Sequence, residues 1–194
     1  MGGETADILT EHWFGVEEFR IKSCWDLCVP EQHVRTILND PMSILDWWPA
    51  VFMHGEVLEQ PDDTLVGFTA RFHTKGFLPH TFQFVASIVE LTASGIVIKT
   101  TGDFDGMGTI LISECNGKSK VTVEWRVWVK HPYIQPFLRI LKPVFVWNHL
   151  WAMRQGRKGL ESLLLGGGGR WQRAQQPTFP HNLAALRIPS KWRL

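Results

Sequence analysis

The chain has 194 residues, 44% of them hydrophobic and 20% charged, with ten tryptophans and a net charge of +1. That length suits one folded domain with or without a tail, and so many aromatics exclude disorder throughout. No stretch reaches the roughly 20 apolar residues of a membrane-spanning helix.

The start, Met1-Gly2-Gly3-Glu4, lacks the apolar core of a signal peptide, and Ala6 stands where a myristoylation pattern wants Ser or Thr. A soluble, cytoplasmic protein is expected. Cys24, Cys28 and Cys115 are odd in number and form no CxxC pair. A disulfide framework and a zinc site are therefore not expected, and neither is any other metal or cofactor.

The small net charge conceals an imbalance. Residues 1–129 carry 9 Lys and Arg against 18 Asp and Glu, whereas residues 130–194 carry 11 against 1. Such a basic C-terminal region suits either an acidic sheet beneath it or an anionic membrane surface.

Residues 1–16 read as a lead-in. Phe19, Ile21, Trp25, Leu27 and Val29 then alternate with Arg20, Lys22, Cys24, Asp26 and Cys28, the period of a half-buried strand. Pro30 opens a short helix with Val34, Ile37 and Leu38 on one face, which Asn39-Asp40-Pro41 stops. A second short helix carries Ile44, Leu45, Trp47 and Trp48 up to Pro49.

Six strands follow, over residues 51–60, 64–74, 81–91, 96–104, 107–115 and 120–130, separated by turn residues such as Pro61-Asp62-Asp63 and Asp105-Gly106. Asn116-Gly117 is the strongest hairpin signal, because both positions accept the positive φ of a type I′ turn. Residues 135–165 form one long helix in which Leu138, Leu141, Phe145, His149, Ala152, Gly156 and Leu160 share a face. Pro143 should kink it near its start. Gly166–Gly169 ends the helix, and residues 166–194 read as a flexible basic tail carrying Trp171 and Trp192.

This order of elements resembles the helix-grip fold of the START/SRPBCC superfamily. Trp47-Trp48-Pro49-Ala50-Val51, His73-Thr74-Lys75-Gly76, Gly102-Asp103-Phe104 and Asn148-His149-Leu150-Trp151-Ala152-Met153 are similar to segments of its bacterial polyketide cyclase/dehydrase-like branch. The resemblance covers residues 17–165. It implies an α+β fold: a curved antiparallel sheet of about seven strands wrapped around the C-terminal helix, with a hydrophobic ligand cavity between them.

Trp48, Phe72, Phe82, Phe84, Trp125, Phe145 and Met153 are expected to line that cavity, with Thr74, Asn148 or His149 orienting one polar group of the ligand; periodicity leaves open which of Asn148 and His149 faces inward. Alternation places Phe68, Ala70, Phe72 and Thr74 inward, leaving Arg71, His73 and Lys75 on a solvated rim that His80 shares. His149 is the candidate acid or base, because histidine titrates near neutral pH. Asp103 either orients His149 or bonds turn backbone.

Three functions compete. The first is binding of a lipid, isoprenoid or polyketide-like molecule. The second is a cyclase or dehydrase working through His149 and Asp103. The third is a carrier whose basic C-terminal region makes weak contact with anionic membranes. A nucleic-acid partner is not expected.

Overall fold

The computed structural model describes residues 6–13, 16–78, 80–129 and 138–166. The basic tail, with Trp171 and Trp192, lies outside them. Eight strands among the described residues form one antiparallel sheet: β1 (Ala6–Trp13), β2 (Val16–Leu27), β3 (Phe52–Glu59), β4 (Thr69–Lys75), β5 (Thr81–Thr92), β6 (Gly95–Gly102), β7 (Phe104–Cys115) and β8 (Lys118–Val129). Their order across the sheet is β1-β2-β8-β7-β6-β5-β4-β3. From β3 to β8 each strand pairs with the next, as short turns favour. The seven expected strands are present, and the residues expected to form a lead-in add an eighth, paired with β2 from Ala6 opposite Ser23 to Trp13 opposite Val16.

Leaving β2, the chain must cross to the far edge of the sheet to begin β3. It does so through helix α1 (Glu31–Leu38), a 3-10 turn at Pro41–Ser43 and helix α2 (Ile44–Trp47). Val34, Trp47 and Trp48 from this crossing are buried with Trp25, Val121 and, from the long helix α3 (Leu138–Leu164), Met153 and Leu160. The crossing thus plugs the space between sheet and α3 at one end.

Several turns differ from expectation for identifiable reasons. Residues 64–68 form a turn rather than the start of β4: Thr64 Oγ1 accepts from the Val66 N–H, and Gly67 takes a φ of +93°. The β6–β7 turn comes at Asp103, before Asp105-Gly106. There Gly102 adopts a φ of +125°, and its N–H donates to Asp105 Oδ1 at 2.9 Å. The β7–β8 hairpin turns on Asn116 (φ 54°) and Gly117 (φ 72°), the positive pair that a type I′ turn requires.

α3 continues through Pro143, whose ring nitrogen offers no hydrogen to the carbonyl of residue 139. Its glycines admit the tryptophan pair of the crossing. A Cβ on Gly156 would lie 2.5 Å from the Trp48 ring, and one on Gly159 would lie 1.6 Å from the Trp47 carbonyl oxygen. Further along the sheet, Glu18 is buried and bonded to Arg126, with Arg20 at 3.4 Å. Burial pushes its carboxyl pKa up, but Arg126 and Arg20 outweigh that and hold it below the ordinary range.

Candidate functional site

Between the sheet and α3 lies a cavity of about 200 Å³. Strand alternation builds its floor. Side chains two residues apart share a face, so Phe19 and Ile21 of β2, Phe82 and Phe84 of β5, and Trp125 and Val127 of β8 all border it. Phe104 of β7 packs between strands, its ring centroid 4.4 Å from that of Phe82 and 5.8 Å from that of Phe84. Trp125 lies across Gly108, where a Cβ would come within 2.4 Å of the indole.

The roof is one face of α3. Phe145, Asn148, His149, Ala152 and Met153 recur at three- and four-residue steps and all border the cavity. Trp48 closes one end, tied to the roof by its indole N–H, which donates to the Ala152 carbonyl at 3.0 Å. Thr74, Lys75 and Gly76 enter from the end of β4.

Most of the expected lining residues therefore meet in one place: Trp48, Thr74, Phe82, Phe84, Trp125, Phe145, Asn148 and Met153. Phe72 does not join them. It borders a second space of about 120 Å³ and packs with Phe68, Ala70, Ile88 and Ile96, nearer the far end of the sheet. The two spaces share four walls: Trp48, Phe52, Phe84 and Trp125.

The expected solvated rim is corrected. His73 and Lys75 are 5% and 0% exposed. Alternation assigns a residue to a face, and a face is wet only if nothing covers it. His73 is flanked by His54 and Gln83 in the pairing. The Lys75 N–H donates to the Val51 carbonyl at 2.9 Å, and at the next residue Asn148 occupies the space a Cβ of Gly76 would need. This end of β4 is enclosed between the turn before β3 and α3. Burial lowers the Lys75 ammonium pKa to about 8. His80 is not in the cavity wall; it packs edge-on against Phe82 and Phe145, at centroid distances of 4.8 and 5.7 Å.

Asp103 does not line the cavity either. Its Oδ2 accepts from the Gln83 N–H at 2.8 Å and its own N–H donates to the Gln83 carbonyl at 3.0 Å, so the acid fastens the β6–β7 turn to β5. Asn148 Oδ1 accepts from the Leu78 N–H at 3.1 Å, clamping the turn after β4 to α3. The Thr74 hydroxyl donates to the Phe82 carbonyl at 3.4 Å.

His149 differs from these. Its Nε2 is shielded from solvent and has no hydrogen-bond partner among the described residues. Burial lowers its pKa to about 4, which leaves the ring neutral at pH 7. Sequence reasoning passed over a second such group, Thr100, although it follows Ile96 and Ile98 on the inward parity of β6. Thr100 borders the cavity, is 2% exposed, and its Oγ1 has no partner among the described residues.

Comparison with known proteins places this geometry. No family model and no curated protein matches the chain. Solved structures do. TTHA0849 from Thermus thermophilus superposes with a TM-score of 0.64 at 14% identity, covering 77% of this chain and 99% of the other. The Zhui aromatase/cyclase from Streptomyces sp. R1128 gives 0.60 at 12% identity, covering 78% and 99%. A START superfamily protein from Mycobacterium smegmatis gives 0.58 at 16%, covering 76% and 97%. The chain has a helix-grip fold. In that fold a sheet grips a C-terminal helix, and the cavity described above lies between the two. At such identities the likeness concerns fold alone.

Proposed function

We propose that this protein encloses a small hydrophobic molecule between its sheet and α3. The supporting observation is the cavity itself, about 200 Å³ left open among aromatic side chains where protein interiors are ordinarily close-packed. An apolar cavity of about 150 Å³ is already large enough for benzene, so the space suits one or two rings. Joined to its neighbour of about 120 Å³, it would approach the few hundred Å³ usual for larger ligands.

The cyclase or dehydrase reading is weaker. Proton transfer works best with a pKa near the working pH, and burial lowers that of His149 to about 4. Asp103, its expected helper, is engaged with backbone.

Equilibrium dialysis against naphthalene tests the binding reading, with Ala152→Leu as a variant that fills the roof. Retention by the parent protein, lost at least tenfold in a variant that still melts cooperatively, is the expected result. Failure of the parent to retain naphthalene or its hydroxylated and carboxylated analogues, or indifference to the filling, would overturn it.

One observation favours membrane contact as a second reading. Ile140, Val144 and Trp147, at helical spacing on α3, are 79%, 40% and 44% exposed, in the region where basic residues outnumber acidic ones 11 to 1. Apolar side chains beside cations suit an anionic bilayer surface. Co-sedimentation with anionic but not neutral vesicles, weakened by salt and by Trp147→Glu, is the expected behaviour. Equal recovery with both vesicle types would refute it.

A further inference from the structure

Buried polar atoms are almost always paired, because an unpaired one forgoes its hydrogen bonds to water and gets nothing in return. The cavity wall mostly follows this rule. Trp48 Nε1 is bonded to Ala152, Thr74 Oγ1 to Phe82, and Asn148 Oδ1 to Leu78. Two residues of the wall break it, Thr100 in the floor and His149 in the roof: the shielded Thr100 Oγ1 and His149 Nε2 have no partner among the described residues.

We infer that Thr100 and His149 are the polar anchors of the ligand site, and that its ligand is a neutral one- or two-ring molecule carrying a hydroxyl group. This rests on the binding reading above and specifies the ligand's chemistry.

The hydroxyl follows from what the two atoms can do. A threonine hydroxyl both donates and accepts. A neutral imidazole nitrogen donates or accepts according to its tautomer. A ligand hydroxyl meets either tautomer and either role of the threonine, whereas an ether or carbonyl oxygen can only accept. Neutrality follows from the surroundings. Neither anchor carries a charge at pH 7, and the walls around them are Phe82, Phe84, Phe104, Trp125 and Phe145. An ion placed against these rings and the two anchors would lose its hydration and gain only dipoles from them. Lys75 also borders the cavity but is already partnered.

The anchors matter because apolar burial alone is weak here. A phenyl-sized ring holds few enough carbons that its contacts leave room for a hydroxyl to change affinity several-fold.

Equilibrium dialysis with naphthalene, 2-naphthol and 2-naphthoate, on the full chain and on Thr100→Val, Thr100→Ser and His149→Leu, tests the assignment. The parent should bind 2-naphthol at least about fivefold more tightly than naphthalene, in line with the cost of leaving buried groups unpaired. Thr100→Val and His149→Leu should each narrow that ratio, and Thr100→Ser, which keeps the hydroxyl, should preserve it. Thr100→Val is close in shape to the parent, so the comparison stands even if His149→Leu does not fold. Equal affinity for naphthalene and 2-naphthol would overturn the anchors while leaving the cavity reading intact. Tighter binding of 2-naphthoate than of 2-naphthol would overturn the neutral ligand. Retention of none of the three would overturn both this inference and the binding reading.

Discussion

Trp48 and Gly156 are in such close contact that a methyl group on residue 156 would lie 2.5 Å from the indole. Gly156→Ala should therefore force the ring aside. Overpacking of this kind costs about 1–3 kcal/mol, offset in part by alanine's better helix propensity of about 1 kcal/mol. Gly159→Ala should cost more, because the obstacle there is the Trp47 backbone carbonyl rather than a side chain. Urea denaturation of both variants checks the order.

Asn148 acts as a clamp in the structure, and its removal should be felt at Leu78. Asn148→Ala strands the Leu78 N–H, at a cost of about 1–2 kcal/mol. Amide hydrogen exchange should quicken at Leu78 while protection in β7 and β8 stays near that of the parent.

Thr100→Val should stabilise the ligand-free protein. The hydroxyl has no partner to lose among the described residues, so exchanging it for a methyl removes an uncompensated polar burial, a gain on the order of 1 kcal/mol. A rise in melting temperature is expected, and a fall would mean that the hydroxyl is bonded in solution.

The pH dependence follows from three groups. His149 stays neutral in the fold down to about pH 4, whereas an unfolded histidine takes up its proton near 6.5. Between those values the unfolded state binds more protons, so stability falls on acidification through this window. His149→Leu should flatten that slope. Lys75, lowered to about 8 from 10.5, makes stability rise between those values as pH increases, and Lys75→Met should remove the rise. Glu18, held below its ordinary value, contributes stability that is lost below about pH 4.5. Urea midpoints across pH 3–11 read all three contributions.

Much of this architecture is legible in the residue pattern. The alternation of Phe19, Ile21, Trp25 and Leu27, the Asn116-Gly117 turn and the α3 face from Phe145 to Leu160 reflect local periodicity, which a sequence displays directly. Lys75 and His73 show where that stops: both sit on the polar parity of β4, but parity carries no information about what later covers a strand end. Asp103 and Asn148 are similar cases. Their residue types suit ligand chemistry, and for Asp103 turn backbone is the other expected role; the distances to Gln83 and Leu78 decide for backbone in both. Thr100 was legible on parity, yet its missing partner is a property of three-dimensional neighbours.

The four rings shared by the two spaces act as a partition, and its members are held by different neighbours. Trp125 is pressed on Gly108 and Trp48 on Gly156, each leaving no room for even a methyl group. Phe52 and Phe84, whose centroids are 6.5 Å apart, rest on rings instead: Phe52 on Trp48 and Phe72, and Phe84 on Phe72 and Phe104. Capacity would then change in one step rather than gradually: loss of either phenylalanine ring would remove a wall common to both chambers. Phe52→Ala and Phe84→Ala would shift the size of the preferred guest, and the two tryptophans would remain as fixed doorposts.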